Sequence, residues 1–290
     1  MPLNLVTKLR HYLLYHSGYY LYRYKAALKH YQPDDEWLKR MEEAAVCADN
    51  QLIPRVGNAG LIEGSNQVLH NGIKVQLGSY YGFGYTHLLQ QNKGVHEPQE
   101  ERVFQEVLKF MPEGATMMEL GSFWAFYSMW FQQKVRRAVS IMVEPEYLNL
   151  IKGKTNFKLN RFRGTFIQAF VGQEAAVNNG YPTTIAIDNF LQKNKITKLN
   201  ILHSDIQGEE FNMLKGSVNA LSSGAIDFLF ISTHSDALHK QCADFLINFG
   251  YEIIASAKVS QSYSVDGVLV AKRQGVNGPG FIKVDVKKGS

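Results

Sequence analysis

The sequence has few cysteines, no long apolar run and no strong excess of one charge, and each lack excludes a class of protein. Among its 290 residues there are two cysteines, too few for a disulfide framework and without metal-binding spacing. No apolar run reaches the roughly 18 residues that a transmembrane helix needs. The N-terminus also lacks the apolar stretch and small-residue cleavage site of a signal peptide, so we expect a cytoplasmic protein.

The charge is only mildly basic. The formal net charge is +5 and the isoelectric point is about 9.0, which favours anionic partners only weakly. The lysines and arginines are scattered, without the stripe that follows a phosphate backbone, so no nucleic-acid partner is predicted. With 45% hydrophobic and 20% charged residues, the chain is expected to fold around a substantial core.

Two phosphate-binding motifs are also missing. The sequence contains neither a Walker loop nor a G-x-G-x-x-G turn. Residues 121–126 read Gly-Ser-Phe-Trp-Ala-Phe, and the bulky Phe123 and Trp124 work against the close backbone approach that a pyrophosphate requires. NAD and FAD are therefore disfavoured.

From residue 115 onward, segments typical of strands alternate with segments typical of helices. This alternation predicts an α/β fold with an open, doubly wound, mostly parallel sheet of seven strands. The last two strands lie too close together for a helix between them, so we expect an antiparallel pair. The strands are predicted at 115–120, 138–143, 163–169, 199–204, 226–232, 251–256 and 264–271, and the helices at 124–134, 146–158, 188–194, 208–221 and 236–249.

The pattern divides the chain into three regions. Residues 1–95 are predicted as a helical and aromatic extension, 96–273 as the main domain and 274–290 as a flexible tail. In the extension, the break at Pro33 opens a second helix, and Gly78 to Tyr85 is predicted as a flexible aromatic loop that either lines a pocket or packs. Its role is left open between a lid, a substrate contact and a homo-oligomer contact through the N-terminal helices.

The most informative segment is the strand, turn and helix around Gly121. Such a unit forms a cofactor cradle, because glycine permits close approach and the helix N-terminus offers free N–H groups. Ligands of an open parallel sheet bind at the carboxyl ends of its strands. Glu144 ends the next strand, near the spacing at which a carboxylate accepts both ribose hydroxyls. S-adenosylmethionine is a nucleoside without a pyrophosphate, so it fits this pattern.

A second motif makes the prediction more specific. His203 to Gly216 resembles the signature of the FkbM-type family of S-adenosylmethionine-dependent methyltransferases, matching at Asp205, Ile206, Gln207, Gly208, Glu210, Leu214 and Gly216. Thr183 to Phe190, the Glu97-Pro98 pair and Ile231 to His234 resemble further segments of the family. The resemblance covers about residues 95–272.

The resemblance implies a class I, Rossmann-like methyltransferase that methylates a hydroxyl of a sugar or other small metabolite. It assigns the methionine moiety to Glu119, Gly121 and Ser122, the ribose to Glu144, and the adenine edge to Gln168 and Ala169. Asp205 is assigned to the region around the sulfonium. Glu97 and Phe123 are also counted as cofactor-binding residues.

An alcohol acceptor needs a base, and His234 or Asp205 is the predicted one, with His203 a third candidate. A divalent metal ion held by Asp205 and Glu209 is considered but not expected. Two alternatives stay open. One is a catalytically silent domain that docks a partner, and the other is a methyltransferase with a peptide or nitrogen acceptor.

Overall fold

The protein is described by a computed structural model that covers residues 18–177 and 182–287, together with Leu13. The first 17 residues of the predicted helical extension therefore lie, apart from Leu13, outside the described residues. In the described part, the strands are β1 (Ile62–Glu63), β2 (Asn66–Val68), β3 (Lys74–Gln76), β4 (Thr116–Leu120), β5 (Val139–Val143), β6 (Thr165–Ile167), β7 (Ala169–Val171), β8 (Thr183–Ile185), β9 (Leu199–Ser204), β10 (Ile226–Thr233), β11 (Tyr251–Ala257) and β12 (Gly267–Arg273).

Helices precede, separate and follow the strands. They are α1 (Gly18–Leu28), α2 (Asp35–Val46), α3 (Gly82–Gln91), α4 (Pro98–Leu108), α5 (Phe126–Lys134), α6 (Tyr147–Leu159), α7 (Ile187–Lys193), α8 (Glu210–Lys215), α9 (Val218–Ser222) and α10 (Asp236–Asn248). Short 3-10 turns cover Ala48–Leu52 and Val259–Gln261.

The central sheet has seven strands in the order β11-β12-β10-β9-β4-β5-β6. Strands β4, β5, β6, β9 and β10 are mutually parallel, and β12 pairs antiparallel with both β10 and β11. The chain runs from β4 outward to β6 and then returns to β9 on the other side of β4. The strand order thus reverses between β4 and β9, which is where open α/β sheets bind ligands.

Both faces of the sheet are covered, which explains the long apolar runs. All eight residues of β10 are buried. Phe228 and Phe230 point to the side covered by α4 and α5, and Leu229 and Ile231 point to the side covered by α7 to α10. Side chains alternate between faces along a strand, so a strand buried on both faces is apolar over most of its length. The polar exceptions in β10 are Asp227, Ser232 and Thr233, at or near its two ends.

The predicted fold class is confirmed: the sheet is seven-stranded, mostly parallel and doubly wound. Two element predictions need correction. The predicted strand 163–169 divides into β6 and β7 around Gln168, and the predicted helix 208–221 is two helices, α8 and α9, separated at Gly216 and Ser217. The predicted aromatic loop also becomes helical from Gly82, where α3 begins.

The extension packs against the main domain. The Asn156 and Asn160 side chains of α6 accept hydrogen bonds from the backbone N–H groups of Gln76 and Lys74 at 2.9 Å, so β3 docks along that helix. In α1, Tyr24 is buried, whereas Tyr19 and Tyr22 are 62% and 69% exposed. The tyrosine-rich helix therefore packs on its own domain along one side and leaves two rings free on the other. Whether it forms a homo-oligomer contact stays a prediction.

The described part of the predicted tail is tied to the rest of the molecule. Ile282 N–H donates to Ile254 O at 2.7 Å, and the Asp285 carboxylate accepts from Ala48 N–H at 2.8 Å. Val284 is buried in the core. The segment has no regular secondary structure, but up to residue 287 these contacts hold it against both the sheet and the extension, so it is not loose there. The division into three regions stays a prediction.

Within the residues that the structure covers, none of the helices combines the length and the apolar character needed to traverse a lipid bilayer.

Candidate functional site

A cavity of about 640 Å³ opens at the carboxyl ends of β4, β5 and β9. It lies at the point where the strand order reverses, as expected for a ligand site of this fold. Its wall combines the glycine turn after β4 with carboxylates and aromatic rings. The carboxylates that line it are those of Glu97, Glu119, Glu144, Glu146, Asp205 and Glu209.

The turn after β4 is held in a conformation that requires glycine at its first position. Gly121 has a φ of +71°, and a Cβ there would lie 1.7 Å from the carbonyl oxygen of Asp205. The backbone N–H groups of Gly121 and Ser122 both donate to Val143 O, at 2.9 and 3.0 Å. Phe123 also has a positive φ, of 40°. Left-handed backbone at a non-glycine residue is costly and concentrates at functional sites.

Glu144 organises the rim opposite this turn. Its Oε2 accepts a hydrogen bond from Phe123 N–H at 3.1 Å, and its Oε1 accepts one from Glu146 N–H at 2.9 Å. Burial raises the pKa of this carboxyl above its ordinary value. The carboxylate is thus fixed in place by two backbone donors, and its remaining lone pairs lie at the cavity wall, which suits a vicinal diol.

Glu119 lies deeper in the cavity. It is fully buried, its Oε2 accepts from Ser128 N–H at 3.0 Å, and burial raises its pKa. His203 is its register partner on β9. Two buried polar atoms of the lining, Ser122 Oγ and His203 Nδ1, have no hydrogen-bond partner among the described residues. Unpaired buried polar atoms in a cavity indicate a ligand that completes their hydrogen bonds.

The signature motif forms the next part of the wall. After β9 the chain turns through Gln207 and Gly208, with φ values of 58° and 97°. Oε1 of the fully buried Glu210 accepts from Ile206 N–H at 3.1 Å and from Gly208 N–H at 3.2 Å. Glu210 therefore holds the turn that presents Asp205. Glu210 of the signature motif thus has a positioning role, because its buried carboxylate fixes the backbone of the turn.

His234 lies behind Asp205 and does not line the cavity. Its Nε2 is 3.3 Å from both Asp205 Oδ1 and Asp266 Oδ1, and its Nδ1 is 3.0 Å from Glu210 Oε1. Burial would lower its pKa, but the carboxylates outweigh that effect and raise the pKa to about 10. The imidazole therefore carries its proton at neutral pH and acts as a cation that holds three carboxylates together.

A buried chain of acids and imidazoles begins at Glu97 and runs away from the cavity. Glu97 Oε2 accepts from Tyr127 Oη at 3.0 Å and lies 3.4 Å from His96 Nε2. His96 Nδ1 is 2.7 Å from Glu101 Oε1, and His70 Nε2 is 3.2 Å from Glu101 Oε2. Burial raises the pKa of Glu97 to about 8, whereas His96 outweighs burial at Glu101 and lowers its pKa to about 2. Glu97 therefore favours its protonated form, whereas the nearby Glu101 favours its ionised form.

Glu100 completes this buried network from the first turn of α4. Its Oε1 is 2.6 Å from His203 Nε2, and its Oε2 accepts from Ser232 Oγ at 3.0 Å. Burial would lower the pKa of His203, but Glu100 outweighs it and the net shift is upward. His203 is therefore a buried cation fixed by Glu100, which leaves it poorly suited to accept a proton.

Most of the site residues predicted from the sequence converge on the cavity. Two do not: the Gln168 side chain donates to Pro145 O at 2.9 Å, and His234 lies one layer behind. The predicted residues that line the cavity are Glu97, Glu119, Gly121, Ser122, Phe123, Glu144, Ala169, His203, Asp205 and Glu209. Phe170 and Val171 of β7 take the place expected for Gln168 beside Ala169.

The aromatic part of the wall was not assigned from the sequence. Tyr80 stacks on Trp124 with centroids 4.5 Å apart and an interplanar angle of 8°, and Tyr81 lies 5.2 Å from Phe123. Tyr81 is 55% exposed at the mouth. In the sequence, the tyrosine-rich loop was the feature that could have indicated this aromatic wall. Two roles were left open for the loop, lining a pocket and packing, and the structure shows both.

A metal ion has one candidate position among the described residues. Asp205, Glu210 and His234 each bring one ligand atom to within 4.8 Å of the others. Glu209, which the sequence suggested as a partner of Asp205, instead accepts from the Asn212 side chain at 2.7 Å. His234 already supplies a positive charge between these carboxylates, so we keep the expectation that no divalent ion is required.

The comparison with protein families now bears directly on this site. Residues 177–253, which contain the turn presenting Asp205 and the whole of β10, match a family model described as "Methyltransferase FkbM domain". This match supports an S-adenosylmethionine-dependent methyltransferase of the FkbM type. The resemblance predicted from the sequence is thereby confirmed, and S-adenosylmethionine is the cofactor of that family. None of the curated proteins matches the sequence.

The solved structures that resemble this chain do so at low identity and low TM-score. TrmK of M. capricolum, in complex with S-adenosyl-homocysteine, is 11% identical with a TM-score of 0.43, over 59% of this chain and 67% of that one. Precorrin-6y C5,15-methyltransferase of Geobacter metallireducens GS-15 is 12% identical with a TM-score of 0.43, over 60% and 87%. Likenesses at these scores do not establish a shared function or acceptor.

Proposed function

We propose that the chain transfers the methyl group of S-adenosylmethionine to a hydroxyl of a small molecule. The observation that carries the proposal is the cavity where the strand order reverses, with the Gly121 turn on one side and the fixed carboxylate of Glu144 on the other. The FkbM match supports methyl transfer, and the enclosed, partly aromatic cavity supports a small acceptor.

The residues present fit this cofactor. The space that a Cβ would fill at Gly121 is taken by the Asp205 backbone, which draws the ends of β4 and β9 together at the ligand. Glu144 would hold the ribose hydroxyls, and Glu119 with Ser122 Oγ would hold the amino-acid end. When bound, S-adenosylmethionine supplies a methyl group on a positively charged sulfur. The chain itself must position the acceptor oxygen and remove its proton.

Glu97 is the residue we infer to take that proton. It lines the cavity, and its pKa of about 8 lies close to neutral pH, as an effective general base requires. His234 and His203 are both held as cations by carboxylates, so the base role predicted for them from the sequence does not suit their surroundings. Asp205 lines the cavity and shares the His234 cation, and it stays the second candidate for the base.

Calorimetric titration with S-adenosylhomocysteine tests the proposal. We expect binding to the wild-type protein and about tenfold weaker binding, or worse, to Glu144→Gln, because a bidentate contact to the ribose is lost. Glu113→Gln is the matched control, since Glu113 pairs with Arg136 away from the cavity. Glu144 also holds two backbone amides, so cooperative unfolding of each variant must be verified. A folded wild-type protein without measurable binding contradicts the proposal.

The alternatives from the sequence have distinct outcomes. Cofactor binding without turnover on any acceptor would support the silent docking domain, whose surface would include the exposed rings of Tyr19 and Tyr22. Turnover that survives both Glu97→Gln and Asp205→Asn would favour an amine acceptor, since an amine needs less help from a base than an alcohol does.

A further inference from the structure

The cavity wall is acidic although the chain as a whole is basic. Six carboxyl groups line the cavity, and the described residues that line it include no lysine or arginine, whereas the whole chain has 31 basic and 26 acidic residues. His96 and His203 supply the cationic part of the lining. A bound cofactor with a net charge of +1 would balance one further carboxylate, in addition to those balanced by the two histidines. The acidic groups therefore exceed what the cofactor alone needs.

Asp205 is a lining carboxylate that has a second carboxylate close to it. Asp266 does not line the cavity, but Asp205 and Asp266 both approach Nε2 of His234, each through Oδ1 at 3.3 Å. Because both carboxylates approach the same ring nitrogen, they lie close together and repel each other despite the imidazolium between them. Glu97, the residue before α4, is a further acidic group of the cavity wall. A further positive charge here would relieve that repulsion.

Aromatic rings stand beside these carboxylates. Tyr81 is close enough for Asp205, Asp266 and Glu97 to raise the pKa of its phenol, after the larger effect of burial. Tyr80 lies against Tyr81 with centroids 4.5 Å apart. Arg40, which also acts on Asp266, is stacked 4.6 Å over Trp37 and does not line the cavity. Ring faces next to carboxylates form the surroundings in which proteins bind ammonium groups.

We infer that the acceptor carries an ammonium group, bound in the cavity between Tyr81 and the carboxylate of Asp205, with Asp266 adding its negative charge from beside His234; this rests on the proposed function. The acceptor class is then a small amino alcohol or amino sugar, whose hydroxyl faces Glu97. A phosphorylated acceptor is disfavoured, because its charge would meet carboxylates without a lysine or arginine to balance them. The same argument disfavours a nucleic-acid acceptor.

Three small probes of similar shape test the inference. Benzylamine, benzyl alcohol and benzyl phosphate are titrated into protein saturated with S-adenosylhomocysteine, at low and high salt. We expect benzylamine to bind about tenfold more tightly than benzyl alcohol, and benzyl phosphate to bind most weakly. The difference in affinity between the amine and the alcohol should become smaller at high salt, because salt screens the charge of the amine. Equal affinity for the amine and the alcohol, or preference for the phosphate, would overturn the inference.

Asp266→Asn gives the matching variant, because Asp266 is not among the cofactor residues. We expect it to reduce the preference for benzylamine several-fold and leave the S-adenosylhomocysteine affinity unchanged, whereas Asp244→Asn on the exposed side of α10 changes neither. An unchanged preference in Asp266→Asn contradicts the assigned subsite. If S-adenosylhomocysteine itself does not bind, the proposed function is contradicted, and the ranking of the three probes on the protein alone still decides the inference.

Discussion

The carbonyl oxygen of Asp205 occupies the position that a side chain on Gly121 would need, 1.7 Å from its ideal Cβ. The two residues follow neighbouring strands, β4 and β9, and Asp205 N–H donates to Leu120 O at 3.0 Å. The first turn and the signature motif, separated by more than eighty residues in sequence, are thus one structure. Any side chain at position 121 must push the two strand ends apart.

Gly121→Ala is therefore expected to destabilise the protein and abolish S-adenosylhomocysteine binding. The left-handed backbone alone costs an alanine about 1–2 kcal/mol, and the clash with Asp205 adds to it. Gly114→Ala is the control, since Gly114 has a similar φ of +77° with open space around it. Urea denaturation of the two variants separates the cost of the left-handed backbone, which both share, from the cost of the clash with Asp205, which only Gly121→Ala has. Equal losses of stability would show that the contact with Asp205 is unimportant.

Replacement by glutamine should change the stability of the protein in opposite directions at Glu97 and at Glu101. The folded pKa of Glu101 is lowered to about 2, so its stabilisation is present above about pH 4.5 and is lost as the pH falls toward 2. The folded pKa of Glu97 is raised to about 8, so the stability it contributes in acid is lost as the pH rises from about 4.5 through 8.

At pH 9 we therefore expect Glu101→Gln to be less stable than the wild type and Glu97→Gln to be more stable. The differences should be on the order of a few kcal/mol, given the size of the shifts. Urea denaturation at pH 9 and at pH 5 measures both effects, and the Glu97→Gln difference should shrink at the lower pH. Shifts of the same sign in both variants at pH 9 would contradict the assigned protonation states.

His234 is expected to carry protons on both ring nitrogens well above neutral pH. Three carboxylates surround it and raise its pKa to about 10, so the stability from these ion pairs is complete below about pH 6.5 and is lost as the pH rises through 10. Nitrogen NMR of labelled histidine, with His234→Gln to assign the signal, measures this directly. A neutral His234 ring at pH 7 would restore it as a base candidate.

Removal of residues 275–290 should lower stability although this segment has no regular secondary structure. The deletion takes away buried Val284 and the hydrogen bonds of Ile282 and Asp285, which join β11, α4 and the extension. We expect a loss of roughly 2–4 kcal/mol, dominated by the buried side chain. Removal of residues 288–290 alone is the control. An unchanged unfolding midpoint in the longer deletion would contradict this role.

The sequence by itself determined the architecture. The alternation after residue 115 predicted all seven strands of the sheet to within three residues at each end, and the third is shorter than predicted because β6 ends before Gln168. These predictions succeed because strand and helix periodicities are local, and because a strand covered on both faces is apolar over most of its length. The motif from His203 to Gly216 likewise gave the family from adjacent residues alone.

Only the tertiary structure decided the chemistry of the site. The sequence placed His234 and Glu97 near the pocket, but their protonation depends on Asp205, Glu210 and Asp266 in one case and on His96 in the other. The aromatic wall is formed by Tyr80 and Tyr81 from the extension, a region with no assigned role in the sequence. Burial and charge at a point in space depend on segments far apart in the chain, and no local pattern records which of them meet.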